Sequence, residues 1–286
     1  MRLHGETAEV FVPDGSPAEA ALSRTTHLGV SAHQDDLEIM AFPGILECFQ
    51  RDDLWFTGVS VTDGSGSPRD GAYRDYTDKQ MQLVRRAEQK KAAMIGGYSA
   101  QILLDHPSSA VKDPTILAVV EDLQAVLRAT SPATVFTHNL ADKHDTHVAV
   151  ALRLIQALRS LEPAMRPRKV YGCEVWRDLD WMVDAQKVAF DVSAHENLQA
   201  ALLGIYDSQI AGGKRYDLAT MGRRRANATY YASHGVDTAT GMIFAMDLTP
   251  LVEDPNLRVA DYVQGFIEAF RKEVADRLLK LGGQQK

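Results

Sequence analysis

The chain has 286 residues, of which 45% are hydrophobic and 24% are charged. This composition is typical of a globular protein and excludes the disordered, collagen-like and fibrous classes. The formal net charge of −7 argues against nucleic acid or an anionic membrane as a partner, because both are bound through a basic surface.

Strands and helices alternate along the first half of the chain. Strands are predicted over 26–32, 55–62, 101–105 and 133–137. Helices are predicted over 36–50, 78–96, 114–129 and 146–161. This alternation predicts an α/β fold of the Rossmann-like, doubly wound type: a mostly parallel sheet with helices on both faces, in three α/β/α layers.

The second half of the chain is less regular. Strands are predicted over 169–175 and 241–248, and helices near 195–206 and over 257–281. Because no repeat or linker separates the halves, we expect a single domain over 1–286. Its core would cover about 26–210, and an extension over about 211–286 would complete it.

Location and assembly are only weakly constrained by the sequence. No apolar run approaches the ~20 residues of a membrane-spanning helix, and the first fifteen residues show no secretory pattern. Cys48 and Cys173 are widely separated, and we expect reduced thiols in a cytoplasmic protein. The sequence is compatible with a homo-oligomer.

The first candidate site group is His33-Gln34-Asp35-Asp36, directly after the first predicted strand. Ligands of open α/β sheets bind beyond the carboxyl ends of strands. His33 and Asp36 are suited to hold one metal ion, which would leave Asp35 to take a proton from metal-bound water. The alternative is an ordinary helix start, since Asp35, Asp36 and Glu38 all suit a first helical turn.

The second candidate group follows the fourth predicted strand and contains His138, His144 and His147. With strand order 3-2-1-4, the first and fourth strands are neighbours, so both groups would face one crevice. His147 would be a third metal ligand and His144 an acid that protonates a leaving group. The alternative is a solvated loop in which Asp142 caps the next helix. We expect His138 to be structural or to support a ligand.

Two further strand ends point towards the same crevice. The glycine-rich loop after the second strand lacks a dinucleotide-binding pattern, because Arg69 stands at the third glycine position and Pro68 obstructs a helix start. Arg69 is a candidate for binding an anionic or hydroxyl-rich substrate, or is simply exposed in a turn. Asp105, after the third strand, would touch substrate or cap a turn. Arg85 and Glu88 have the spacing of an ion pair within one helix.

These motifs resemble a known family. Ala32-His33-Gln34-Asp35-Asp36 is similar to the A-H-P-D-D motif of LmbE-like, PIG-L-type de-N-acetylases, and His144-Asp145-Thr146-His147 is similar to their H-P-D-H or H-x-x-H motif. Shorter similarities, which extend the resemblance over roughly 26–210, are the family's N-x-x-D at Asn139 and Asp142, T-x-G at 62–64, R-x-x-E at 85–88 and S-Q at 208–209.

The resemblance implies a metal-dependent hydrolase that removes an acetyl group from an amino sugar or a related N-acetylated small molecule. It implies that His33, Asp36 and His147 hold zinc, with Asp35 as general base. It also implies that His144 stabilises the oxyanion or acts as an acid. One metal ion per chain is expected, and iron, cobalt or manganese would suit the same ligands.

The sequence departs from the family pattern at two positions. Gln34 replaces a proline, and Thr146 replaces an aspartate that supports the catalytic histidine in the family. We expect Asp145 and Asp142 to support the site from behind the ligands. Two alternatives stay open: a zinc-dependent hydratase acting on an unsaturated carboxylic acid bound by Arg69, and a metal-binding member of the fold without catalysis.

Overall fold

The computed structural model describes residues 1–282, which contain an eight-stranded, mostly parallel sheet flanked by helices. The strands are β1 (Glu9–Phe11), β2 (His27–Ser31), β3 (Phe56–Thr62), β4 (Ala100–His106), β5 (Thr134–His138), β6 (Lys169–Cys173), β7 (Val188–Asp191) and β8 (Met242–Asp247). The longer helices are α4 (Asp78–Gly96), α6 (Ala118–Thr130), α7 (Asp145–Arg159), α8 (Glu196–Gly204), α10 (Tyr216–Tyr230) and α12 (Val259–Gly282). The shorter helices are α1 (Ala18–Ser23), α2 (Asp36–Met40), α3 (Phe42–Cys48), α5 (Ser108–Lys112), α9 (Asp207–Ile210) and α11 (Thr249–Glu253).

The strand order is β1-β4-β3-β2-β5-β6-β8-β7. The pairs among β2, β3, β4, β5 and β6 are parallel, whereas β1, β7 and β8 pair antiparallel with their neighbours. The predicted α/β class and the predicted order of the first four strands are confirmed. Because β2 and β5 are parallel neighbours, their carboxyl ends lie side by side.

Helices cover both faces of the sheet. Every residue of β2 and β3 is buried, as expected for parallel strands packed between two helical layers. Val135 belongs to one hydrophobic cluster and Phe136 to a second. Successive residues of a strand point to opposite faces, so the two clusters lie on opposite sides of the sheet. This arrangement is the predicted three-layer architecture.

The boundaries of several elements differ from the prediction. The helix predicted over 36–50 is two helices, α2 and α3, with Pro43 in the first turn of α3. A proline there loses no hydrogen bond, but it would have interrupted a continuous helix. The edge strands β1 and β7 were not predicted, because strands of three and four residues are too short to show a period.

The segment over 211–286, expected to complete the domain, contributes α10, α11, α12 and β8. Strand β8 lies inside the sheet between β6 and β7. Within the described residues 1–282, no helix combines the length and apolarity needed to cross a bilayer.

Candidate active site

The three predicted metal-ligand side chains converge at the carboxyl end of β2. His33 Nδ1 lies 3.2 Å from His147 Nε2 and 3.2 Å from Asp36 Oδ2, and His147 Nε2 lies 3.4 Å from Asp36 Oδ2. Tetrahedral ligands at zinc-to-nitrogen or zinc-to-oxygen distances of about 2.0–2.1 Å are roughly 3.3 Å from one another. The three atoms therefore have the spacing of ligands around one divalent ion.

A fourth residue, His138, lies against this group. Its ring stacks on that of His147 with the centroids 3.9 Å apart. His138 Nε2 accepts a 2.8 Å hydrogen bond from the backbone N–H of Ala32, although it also lies 3.6 Å from Asp36 Oδ2. Because the Nε2 lone pair is engaged by this N–H, His138 fixes the turn after β2 and does not offer that lone pair to a metal.

Asp142 supports the site from the loop before α7. Its Oδ2 lies 3.7 Å from His147 Nδ1 and accepts a 3.0 Å hydrogen bond from the backbone N–H of Trp176. Its Oδ1 accepts a 2.9 Å hydrogen bond from the backbone N–H of His144. Burial lowers the pKa of His147, but the carboxylates of Asp36 and Asp142 outweigh burial and raise it overall. The ring of His147 is thus held between two carboxylates.

Asp35 lies beside the three predicted ligand side chains in an unusual backbone conformation. Its φ is 98°, a value that L-residues rarely adopt. Arg85 Nη2 donates a 2.8 Å hydrogen bond to Asp35 Oδ2. Burial raises the pKa of Asp35 to about 6, against the lowering effect of Arg85. Burial therefore makes this carboxylate a stronger proton acceptor than an exposed aspartate.

Arg85 is itself held by a buried network. Its Nη1 lies 3.1 Å from Glu88 Oε2 and 3.3 Å from Ser208 Oγ. The backbone N–H of Ser208 donates a 2.7 Å hydrogen bond to Glu88 Oε1. The short R-x-x-E and S-Q similarities therefore meet directly behind Asp35, although they are far apart in sequence.

His144 lies at the mouth of the site. Its ring is edge-on to His33 with the centroids 5.0 Å apart, and is stacked on His147 at 4.6 Å. Burial, followed by the charge of His147, lowers the pKa of His144 to about 4. A neutral imidazole at this point is able to donate one N–H to a bound ligand.

Positions 145 and 146 face different environments. Asp145 is the first residue of α7 and is exposed, whereas Thr146 is 3% exposed. Consecutive helical residues point about 100° apart, so the side chain of Asp145 faces solvent where that of Thr146 faces the interior. Support of the site by Asp145 stays a prediction. Asp142 is the carboxylate that lies beside Nδ1 of His147.

Arg69, in the loop after β3, and Asp105, near the end of β4, are bound to other groups. Arg69 donates a 2.7 Å hydrogen bond to the backbone carbonyl of Ser65 and forms an ion pair with Asp78. Asp105 forms an ion pair with Arg86 at 3.1 Å. Neither side chain is among those that line the cavity described below. Substrate binding by these two residues stays a prediction.

A cavity of about 600 Å³ opens onto the site. Its inner end is formed by His33, Asp35, Asp36, Arg85 and His144. Its outer wall is formed by Val175 and Trp176 together with residues between 209 and 223. Apart from the S-Q similarity at 208–209, no motif in the sequence pointed to this wall. It is built from the segment after β6 and from the segment between α9 and the first two turns of α10, where the sequence shows no clear hydrophobic period.

A known family model matches the part of the chain that contains the inner end of the cavity. A family model described as GlcNAc-PI de-N-acetylase (PIG-L) matches residues 28–158. That range includes the three ligand-type side chains, Asp35 and His144. A search of curated proteins found no match.

Several solved structures share the fold. A conserved protein from Thermus thermophilus has a TM-score of 0.58 at 21% identity, with 82% of this chain and 100% of that chain covered. N,N'-diacetylchitobiose deacetylase from Pyrococcus horikoshii has a TM-score of 0.57 at 17% identity, with 77% and 83% covered. The 4-carboxy-2-hydroxymuconate hydratase GalB from Pseudomonas putida has a TM-score of 0.57 at 17% identity, with 78% and 96% covered. At these identities the likeness shows the fold alone.

Proposed function

Since residues 28–158 form a PIG-L family domain with an LmbE-like α/β fold, we propose that the protein is a metal-dependent N-deacetylase. Its substrate class is an N-acetylated amino sugar or a related small molecule. The observation that carries this proposal is the triangle of His33 Nδ1, Asp36 Oδ2 and His147 Nε2 beside Asp35, at the inner end of a cavity. The deacetylase from Pyrococcus horikoshii, a relative in fold, supports it.

The donor set fits a single divalent ion. Two imidazole nitrogens and one carboxylate oxygen are the ligands of many catalytic zinc sites, and the same set accepts iron, cobalt or manganese. A bound ion of this kind lowers the pKa of water towards ~7 and polarises an acyl carbonyl. Asp142, 3.7 Å from His147 Nδ1, orients the ring that offers Nε2.

Asp35 is the proposed general base. Its Oδ2 is fixed by Arg85, whereas its Oδ1 has no hydrogen-bond partner among residues 1–282. Oδ1 accepts a proton as water forms a bond to the acyl carbon. The carbon–nitrogen bond then breaks, and the proton passes to the departing nitrogen, which leaves as an amine beside acetate.

His144 is the proposed stabiliser of the acyl oxygen. It lies at the cavity wall within 5.0 Å, ring to ring, of His33. As the acyl carbon becomes tetrahedral, negative charge develops on its oxygen, and a preorganised N–H donor stabilises that charge. A neutral His144 supplies such a donor without adding a further positive charge beside Arg85 at the inner end of the cavity.

The fold likeness to GalB supports a second candidate, the addition of water to an unsaturated carboxylic acid. The same base and water would serve both reactions. The products separate them, because the hydratase consumes a conjugated acid and releases no acetate. Loss of absorbance from a conjugated dicarboxylic acid, without acetate from N-acetyl sugars, would favour the hydratase.

The first experiment combines metal content with acetate release. Elemental analysis is made on the wild type, on His147→Ala and on the exposed control His234→Ala, and acetate release is measured over a panel of N-acetyl amino sugars. We expect about one ion per chain in the wild type and the control, its loss in His147→Ala, and acetate from the metal-loaded proteins only. Full metal occupancy without turnover of any substrate would favour a non-catalytic protein.

A further inference from the structure

The charged side chains that line the cavity differ between its two ends. At the inner end Arg85 is paired with Asp35, whereas the outer wall carries cations and, among the described lining residues, no carboxylate. The acidic residues that line it are Asp35 and Asp36, both at the inner end, within the part of the chain that the structure describes. The outer wall carries three cationic side chains, Lys214, Arg215 and Arg223. This concentration of positive charge is unexpected in a chain of net charge −7, and it points to a ligand that carries negative charge.

Only one of the three outer cations is neutralised by a neighbouring carboxylate. Arg215 forms a 2.7 Å ion pair with Asp217. Among the described residues, Lys214 and Arg223 have no carboxylate oxygen within 4.0 Å. Arg223 donates a hydrogen bond to the backbone carbonyl of Val175. The rest of its guanidinium fork is able to bind a carboxylate or a phosphate.

Glu174, the buried carboxylate near Arg223, is engaged by other groups. It accepts hydrogen bonds from Asn227 Nδ2 at 2.8 Å, from the backbone N–H of Phe244 at 3.0 Å and from the backbone N–H of Leu179 at 2.7 Å. These three donors satisfy both of its oxygens. Glu174 therefore leaves the guanidinium of Arg223 available in the cavity wall.

Trp176 lies between the two ends. Its ring is stacked towards His144 with the centroids 6.3 Å apart, and Lys214 Nζ lies 5.2 Å from the centre of the Trp176 ring. The hydrogen bond from the backbone N–H of Trp176 to Asp142 connects this wall to the loop before α7, where Asp142 lies beside His147. An aromatic face beside the reacting end suits the apolar face of a sugar ring, with polar groups beyond it.

We propose that the substrate carries an anionic group, a carboxylate or a phosphate, at the end remote from its N-acetyl group. Lys214 and Arg223 bind this group, while Trp176 packs against the ring that joins it to the N-acetyl group. The inference rests on the proposed function for the orientation of the substrate. It goes beyond that function by naming the chemical class of the substrate's other end.

The test measures binding to the metal-loaded Asp35→Asn protein, in which turnover is slowed. Calorimetry compares N-acetylglucosamine with its 1-phosphate, its 6-phosphate and N-acetylmuramic acid, so that phosphate and carboxylate are separate arms. We expect at least one charged ligand to bind about tenfold more tightly than the neutral sugar. We expect Lys214→Gln and Arg223→Gln each to weaken that ligand about tenfold, or about 1.4 kcal/mol, and to leave the neutral sugar unchanged.

Arg225→Gln is the matched control, since Arg225 lies on α10, is 63% exposed and does not line the cavity. Equal affinity for charged and neutral sugars, no binding of any charged ligand, or an equal loss in the control would overturn the inference. Wild-type KM values for the same sugars check the binding data where Asp35→Asn does not fold. Acetate release by the wild type is measured in parallel. Tighter binding of a charged sugar without acetate release would reject the proposed N-deacetylase function and leave the inference of an anionic ligand standing.

Discussion

Arg85 Nη2 and Asp35 Oδ2 are joined by a 2.8 Å hydrogen bond, and the two side chains are 1% and 9% exposed. The pair connects a carboxylate after β2 to helix α4, 50 positions away. It fixes one oxygen of the proposed base and leaves the other for proton transfer. It also offsets the charge of one of two adjacent buried aspartates. This contact is therefore the support on which the proposed chemistry depends.

Replacing Arg85 should damage both activity and stability. Arg85→Gln leaves Asp35 and Glu88 buried without their cation, which typically costs about 3–5 kcal/mol of unfolding free energy. Because Asp35 loses its orientation, we expect kcat to fall about 100-fold. Arg86→Gln, at the next residue, is the control, since Arg86 pairs with Glu9 and Asp105 outside the cavity. Equal losses of kcat in both variants, measured with urea unfolding and metal content, would contradict the role given to Arg85.

Substitutions of the proposed base, Asp35, and of the proposed ligand Asp36 should have different effects on metal content. Asp35→Asn should retain the metal and lower kcat by about 10²–10⁴-fold, because a positioned base contributes that factor. Asp36→Ala should lose the metal together with activity. Elemental analysis and acetate release on the same samples check both statements. An Asp36→Ala protein that is metal-free and fully active would contradict both the proposed metal site and the proposed metal-dependent reaction.

The two aspartates before His147 should behave differently. Asp142→Asn should weaken metal affinity about 10–100-fold, because this carboxylate lies beside the Nδ1 of a ligand and orients it. Asp145→Asn should leave affinity unchanged, since Asp145 is exposed at the start of α7. Competition with a zinc indicator measures both constants. The reverse order of effects would show that Asp145 does support the ligand, as the sequence alone suggested.

The inner end of the site could be predicted from the sequence because its residues follow strands. Buried strands show as short apolar runs, and adjacency of β2 and β5 follows from their order, so His33 and His147 were expected at one crevice. Arg85 was interpreted only as the partner of Glu88, since its spacing to that residue is local. Its contact with Asp35 depends on how α4 packs, which no local pattern encodes. Trp176 and Lys214 lie in irregular segments. These segments have no periodic pattern of hydrophobic residues from which contacts between side chains could be predicted.

The contact between His4, in the N-terminal segment before β1, and Asp122, on α6, should depend on pH. His4 Nδ1 lies 2.8 Å from Asp122 Oδ1, and His106 Nε2 lies 2.8 Å from Asp122 Oδ2. Hydrogen bonding to Asp122 raises the pKa of His4, an effect that Glu121 adds to and Arg2 opposes. Burial raises the pKa of Asp122, but hydrogen bonds from His106 and His4 outweigh it, so the pKa is lowered overall.

The signs of these shifts set a pH window for the His4–Asp122 contact. The raised pKa of His4 means that its contribution is full below the unfolded value of about 6.5 and is lost as pH rises through the folded value. The lowered pKa of Asp122 means that its contribution is full above the unfolded value of about 3.9 and is lost as pH falls through the folded value. Hydrogen exchange in the backbone around β1, corrected for intrinsic rates, should therefore be slowest between about pH 4 and 6.5. In Asp122→Asn, the exchange rate should no longer pass through a minimum in this pH range. The exposed control Asp113→Asn should keep the minimum. A wild-type exchange profile that is flat across this range would show that the His4–Asp122 contact does not hold the segment.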